Sequence, residues 1–237
     1  MDTPSHHTLR TVLLDLDGTL ADTAPDIGHA LNTLLDEHGR APLPLQTIRP
    51  LVSHGSNALV KFAFDIDEDH EQFSPLRERF LAIYQSRLAV ETRLFPGMAE
   101  LLENLAVQGR NWGVVTNKPA RLTNPLMEQL GLYERAACII SGDSAEQRKP
   151  HPAPMVMACR LAGSQPCQCL SVGDAQRDIQ SAKRAGMHAL VALFGYIGTD
   201  ETPRLWGADA IVEHPAAILQ WIETAESKPD TMTPEHD

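Results

Sequence analysis

Val12-Leu13-Leu14 runs directly into Asp15-Leu16-Asp17-Gly18-Thr19-Leu20. Residues 11–16 read as a buried strand. A core strand has no structural use for two carboxylates, because burying a charge costs several kcal/mol unless it is paired or bound to a metal. At the C-terminal end of a parallel strand, the same residues project into the crevice where open α/β sheets bind ligands. A strand ending in an acidic Asp-Gly turn is the plainer reading. It suffices for the dipeptide, but not for the whole hexapeptide taken with the later segments of the chain.

Working outward, Ile27, Ala30, Leu31, Leu34 and Leu35 recur at helical spacing, with Thr23 as a candidate cap, Pro25 in the first turn and Gly39 as the stop. From 45 to about 93 every pattern is helical. One segment covers 45–52. A second starts near Ser56 and carries Leu59, Val60 and Phe62-Ala63; a third starts at Ser74, with Leu76, Phe80, Ile83, Tyr84 and Leu88 on one face. Asp65-Ile66-Asp67-Glu68-Asp69 between the last two reads as a solvated loop, since its glycine-free pattern does not fit a calcium-binding loop. Leu94-Phe95-Pro96-Gly97 marks the return to the main domain. Strand patterns at 111–116, 137–141, 169–172, 188–193 and 210–212 then alternate with helical ones. That alternation predicts an α/β fold: a Rossmann-like, doubly wound parallel sheet covered on both faces. The expected domains are a core of 1–21 and 94–237 and an inserted helical cap of 22–93, with 225–237 a polar tail lacking structure.

The chain of 237 residues is 43% hydrophobic and 22% charged, an ordinary globular profile with room for an inserted lid. Aromatics make up only 5%, so the core rests on Leu, Val, Ile and Ala. A formal net charge of −11 argues against a nucleic-acid or anionic-membrane partner. The first ten residues lack an apolar targeting core, and no apolar run is long enough to span a bilayer, so a cytoplasmic location is expected. Cys138, Cys159, Cys167 and Cys169 then read as reduced thiols. Cys167-Gln-Cys169 lacks a second ligand pair at zinc-like spacing. His6-His7 falls in an expected frayed terminus.

Four polar signals stand at predicted strand ends: Asp15 with Asp17; Thr116-Asn117-Lys118; Lys149-Pro150; and Gly173-Asp174 with Asp178. In a doubly wound sheet the strand ends share one edge, so all four can converge. As an ordered set they resemble the haloacid dehalogenase-like superfamily, mostly phosphatases, over residues 9 to about 222. The resemblance implies phosphoryl transfer. Asp15 would be the nucleophile that forms an aspartyl-phosphate. Asp17 would protonate the leaving alcohol and then deprotonate the hydrolytic water. Paired carboxylates push their pKa values apart, which suits this division of roles. Asp15, Asp17, Asp174 and Asp178 against Lys149 leave an excess of negative charge where a phosphate must enter. A divalent ion is therefore needed, and all-oxygen ligands select Mg²⁺. By resemblance Asp15 and Asp174 ligate through side chains and Asp17 through its carbonyl. Asp178 lies about one helical turn past Asp174, so both can face the metal, with Asp178 in a supporting place behind the direct ligands. Thr116 and Asn117 would offer donors to phosphate oxygens, and Lys149 would balance charge on nucleophile and phosphoryl group. Lys118 reads equally well as a solvated lysine.

The lid should choose the substrate. Ser53-His54-Gly55-Ser56 is its most polar turn at a helix start, which marks His54, Gly55 and Ser56 as candidate specificity residues; a simple capping turn would look the same. Arg49 reads as a surface arginine that can reach a carboxylate. The motifs and lid resemble phosphoglycolate phosphatases. Leu94-Phe95-Pro96-Gly97-Met98, residues 112–119, Phe194-Gly195-Tyr196-Ile197-Gly198 and Trp206-Gly207-Ala208-Asp209 look more like the subgroup acting on N-acetylmuramic acid 6-phosphate in cell-wall recycling. The expected partner is a small carboxylate-bearing phosphorylated metabolite, and the expected assembly a monomer or homodimer. A dehalogenase would not need Asp17. A phosphonate hydrolase would need a lid lysine as Schiff base, and Lys61 is the only lysine there. A sugar phosphomutase would return the phosphoryl group to a sugar rather than to water. A catalytically silent phosphate-binding module would have lost a nucleophile or metal ligand, and none is missing from the motifs.

Overall fold

The computed structural model of the protein describes residues 8–227, so His6-His7 and the tail beyond 227 lie outside the described residues. The first strand, β1 (Thr11–Leu14), is buried along its length. It ends two residues before the apolar pattern does. The Asp15 N–H still reaches Val172 O (3.0 Å), but the Leu20 N–H folds back onto Asp15 O (3.0 Å), so the hexapeptide is a turn. A two-residue strand, β2 (Ala21–Asp22), leads into four helices: α1 (Ala24–Glu37), α2 (Leu45–Val52), α3 (Gly55–Phe64) and α4 (Phe73–Gln85). These helices form a cap-like region. The chain returns through β3 (Arg93–Leu94), which pairs antiparallel with β2. Two-residue strands are too short to leave a periodic signal, and neither is legible in the sequence.

The remainder alternates: α5 (Met98–Val107), β4 (Asn111–Val115), α6 (Ala120–Gln129), β5 (Ile139–Ile140), α7 (Ala153–Leu161), β6 (Cys169–Gly173), α8 (Gln176–Arg184), β7 (His188–Ala192), β8 (Ala210–Val212) and α9 (Ala216–Glu226). The main sheet runs β5-β4-β1-β6-β7-β8, with parallel pairing throughout. Strand order reverses at β1, the Rossmann arrangement whose switch point opens a crevice at the strands' C-terminal ends. Side chains alternate across the sheet. Val12, Leu14, Val114, Leu170 and Val172 join one apolar cluster, while Leu13, Val115, Cys169, Ala189 and Val191 join the other. Burial of each large apolar side chain stabilises by about 1.5–3 kcal/mol, which locks the register and thereby the position of the residues at each strand end.

The expected tail began too early. Ala225 and Glu226 are the last turn of α9, where Glu226 accepts the Leu9 N–H at 2.9 Å and pairs with Arg110 at 2.8 Å.

Candidate active site

Register brings the strand ends together. Leu14 lies beside both Val114 and Val172, so Asp15, Thr116 and Asp174 emerge from three neighbouring strands at one edge. Gly18 makes the close approach possible. Its φ is +89°, and a Cβ there would lie 2.1 Å from Asp174 Oδ2, so only glycine fits.

The Lys149 ammonium sits 2.7 Å from Asp15 Oδ1 and 2.7 Å from Asp178 Oδ1, and donates to Val115 O at 2.6 Å. Burial works against its charge, but Asp15 and Asp178 outweigh burial and hold its pKa above that of a free lysine. Asn117 fixes the Lys149 backbone from both sides: Nδ2 donates to Lys149 O (3.0 Å) and Oδ1 accepts the Lys149 N–H (3.1 Å). That corrects the expectation that the Asn117 amide faces a phosphate. Its side chain positions Lys149. Thr116 is buried, and its Oγ1 accepts the Lys118 N–H at 3.2 Å.

Oxygen atoms of Asp15, Asp174 and Asp178 all lie within 4.8 Å of one another. Burial raises the Asp15 carboxyl pKa, against the pull of Lys149. Burial, reinforced by Asp15 and Asp178, pushes Asp174 up to about 7. Asp178 Oδ1 faces Lys149 without a well-aligned hydrogen bond. Three crowded, buried carboxylates fit a hard, oxygen-preferring divalent cation such as Mg²⁺. Asp178 has an oxygen within the cluster, as its place one turn past Asp174 allows, whereas the Asp17 carboxylate is directed elsewhere.

Asp17 Oδ1 accepts from Lys118 Nζ (2.7 Å) and from Thr23 Oγ1 (2.6 Å). Thr23 therefore does not cap α1 with its hydroxyl. Both of these hydrogen bonds fall on Oδ1 rather than Oδ2. Lys118 is not a solvated lysine: it is buried, bonds the Tyr84 hydroxyl at 2.7 Å and lies 4.7 Å above the Tyr84 ring. Burial opposes its charge, but Asp17 and Tyr84 more than offset this, so its pKa is raised. The same burial pushes Tyr84 up to about 12. No sequence pattern separates such a lysine from a surface one.

A cavity of about 490 Å³ extends from Asp15 and Asp17 to the cap helices. His54, Gly55 and Ser56 line it, as do Thr116 and Asn117. Arg77, Arg148 and Arg177 also line it, and sequence reasoning did not single them out. Arg177 had a signal, standing between Asp174 and Asp178. Burial opposes its charge, but Asp178, Asp15 and Asp174 outweigh burial and raise its pKa. Ser53 reads in the sequence only as part of the cap turn, but its hydroxyl donates to Asp174 Oδ2 at 2.8 Å. Lys61 pairs with Asp67 at 2.9 Å and does not line this cavity. Arg49 does not line this cavity; it grips Asp22 through two 2.9 Å hydrogen bonds, and Tyr196 donates to the same Asp22 at 2.7 Å.

Residues 12–192 match the sequence family described as haloacid dehalogenase-like hydrolase. An N-acetylmuramic acid 6-phosphate phosphatase of Pseudomonas putida is 43% identical over 217 residues, covering 92% of this chain and 97% of its own. A phosphoglycolate phosphatase of Xanthomonas campestris is 41% identical over 220 residues, covering 93% and 98%. Among solved structures, a predicted phosphoglycolate phosphatase from Haemophilus somnus superposes with a TM-score of 0.80 at 28% identity, covering 92% of this chain and 99% of that one.

Proposed function

The chain belongs to the haloacid dehalogenase-like hydrolase family, and from that membership we propose a magnesium-dependent phosphomonoesterase that prefers N-acetylmuramic acid 6-phosphate. The observation that carries this reading is the meeting of Asp15, Lys149 and Asp174 at one sheet edge, with Asp17 facing the same cavity.

A carboxylate oxygen of Asp15 bonds to phosphorus as the bond from phosphorus to the alcohol oxygen breaks. Asp17 gives that oxygen its proton. Now a carboxylate, Asp17 takes a proton from the incoming water, whose oxygen displaces Asp15 from phosphorus. Lys149 holds Asp15 and offsets the charge of the transferring group, while Thr116 and the Asn117 main chain face the phosphate oxygens. Mg²⁺ held by Asp15, Asp174 and the Asp17 carbonyl, with Asp178 beside them, would supply further positive charge against the phosphate. Among the described residues, 8–21 and 94–227 form the core and 22–93 the cap, a division supported by the β2–β3 pair where the chain crosses twice.

The cavity supports the sugar phosphate. About 490 Å³ falls within the ordinary range of sites for drug-sized ligands, and phosphoglycolate is far smaller. The formal charge of −11 supports a small metabolite over a nucleic acid as partner, and a cytoplasmic monomer or homodimer completes the reading. Phosphoglycolate is the second reading, favoured by the relatives that carry that name.

The test is phosphate release with Mg²⁺ from N-acetylmuramic acid 6-phosphate, phosphoglycolate and simple hexose phosphates. We expect the sugar acid to give the highest kcat/KM, and Asp15→Asn to lose at least roughly 10³-fold of it. Release from phosphoglycolate alone overturns the substrate; full turnover by Asp15→Asn overturns the mechanism.

A further inference from the structure

One face of α4 presents Arg77, Phe80, Leu81 and Tyr84 to the cavity. Tyr84 reaches the reacting groups through Lys118 and Asp17. Arg77 lies two turns away, roughly 10 Å along the helix axis. Its Nε donates to Ser56 Oγ at 3.1 Å, which aims the guanidinium, and among the described residues it has no carboxylate partner. Arg49 pairs with Asp22, Arg79 with Glu37 and Arg87 with Asp26 and Glu91, while Arg40 and Arg93 donate to backbone carbonyls, and none of these five lines the cavity. Among the described residues, Glu68 is the one carboxylate on the cap side of the cavity; it is exposed and accepts from Asn57 at 2.8 Å.

A half-buried guanidinium with an empty fork matches a planar carboxylate. Resting on the phosphatase reading above, we propose that Arg77 is the specificity-determining residue that binds the substrate's carboxylate, and that it selects acids in which a sugar-sized spacer separates carboxylate from phosphate. Phe80 and Leu81 give that spacer an apolar wall.

The experiment compares kcat/KM for N-acetylmuramic acid 6-phosphate with that for N-acetylglucosamine 6-phosphate, which lacks the acid, in wild type, Arg77→Met and Arg77→Lys. Wild type should prefer the acid. In Arg77→Met the ratio should fall roughly 10–100-fold, the worth of one charge-assisted hydrogen-bonded pair, chiefly through KM. Arg77→Lys keeps the charge without the fork and should recover part of the ratio. A wild-type preference that survives in Arg77→Met overturns the inference and leaves the phosphatase reading standing. A wild type that releases phosphate but shows no preference for the acid overturns both the inference and the substrate assignment.

Discussion

Asp15 and Asp17 stand two positions apart and occupy different electrostatic worlds. Asp15 faces a lysine it shares with Asp178, while Asp17 faces a lysine it shares with Tyr84. The hexapeptide singles out both acids, and Lys149 is legible as a polar signal in a loop. The partner of Asp17 is not legible, because burial of Lys118 depends on Tyr84, 34 positions earlier in the chain. Lys118→Met removes a cation that Asp17 uses, and we expect kcat/KM to fall about 10²-fold. Since the Lys118 pKa is raised, the lysine stays charged up to and beyond about pH 9. The wild-type-to-variant ratio should therefore stay level from about pH 6 to pH 9. A ratio that declines toward pH 9 would mean that Lys118 loses its proton within this range.

Helices and strands of the alternating half follow the apolar periods closely, because each buries a continuous face against the sheet. The cap helices were equally visible. Their fastening was not, since it depends on single polar contacts. Asp26 on α1 is fully buried; its Oδ2 accepts from the Glu91 and Thr92 N–H groups and from Thr92 Oγ1, and its Oδ1 lies 3.3 Å from Arg87 Nε. One carboxylate thus ties α1 to the segment that returns to the core. Asp26→Ala leaves these donors buried without their acceptor and should destabilise the fold by about 3–5 kcal/mol in urea unfolding. A loss below about 1 kcal/mol would show that the segment is held by its apolar contacts alone.

Cap and core meet at the chemistry. Ser53 donates to Asp174, Tyr84 bonds Lys118, and Asp22, Arg49 and Tyr196 join hinge, cap and core. The excess of negative charge at the cluster is a cost to the whole fold that a bound divalent cation removes. Mg²⁺ at about 100 times its Kd should stabilise the protein by about 2.7 kcal/mol, read as a rise in Tm, and Asp174→Asn should abolish the rise. A wild-type Tm indifferent to Mg²⁺ would count against the ion binding at this cluster. The amino-acid sequence by itself determined the parallel sheet, the inserted helices and which acids stand at which strand ends, because apolar period and motif order are local properties of the chain. Tertiary structure alone decided that Asn117 serves Lys149, that Lys118 is buried and that Arg77 faces the cavity. Each of these depends on a partner distant in sequence, brought close only when the sheet sets its register and the cap helices close over it.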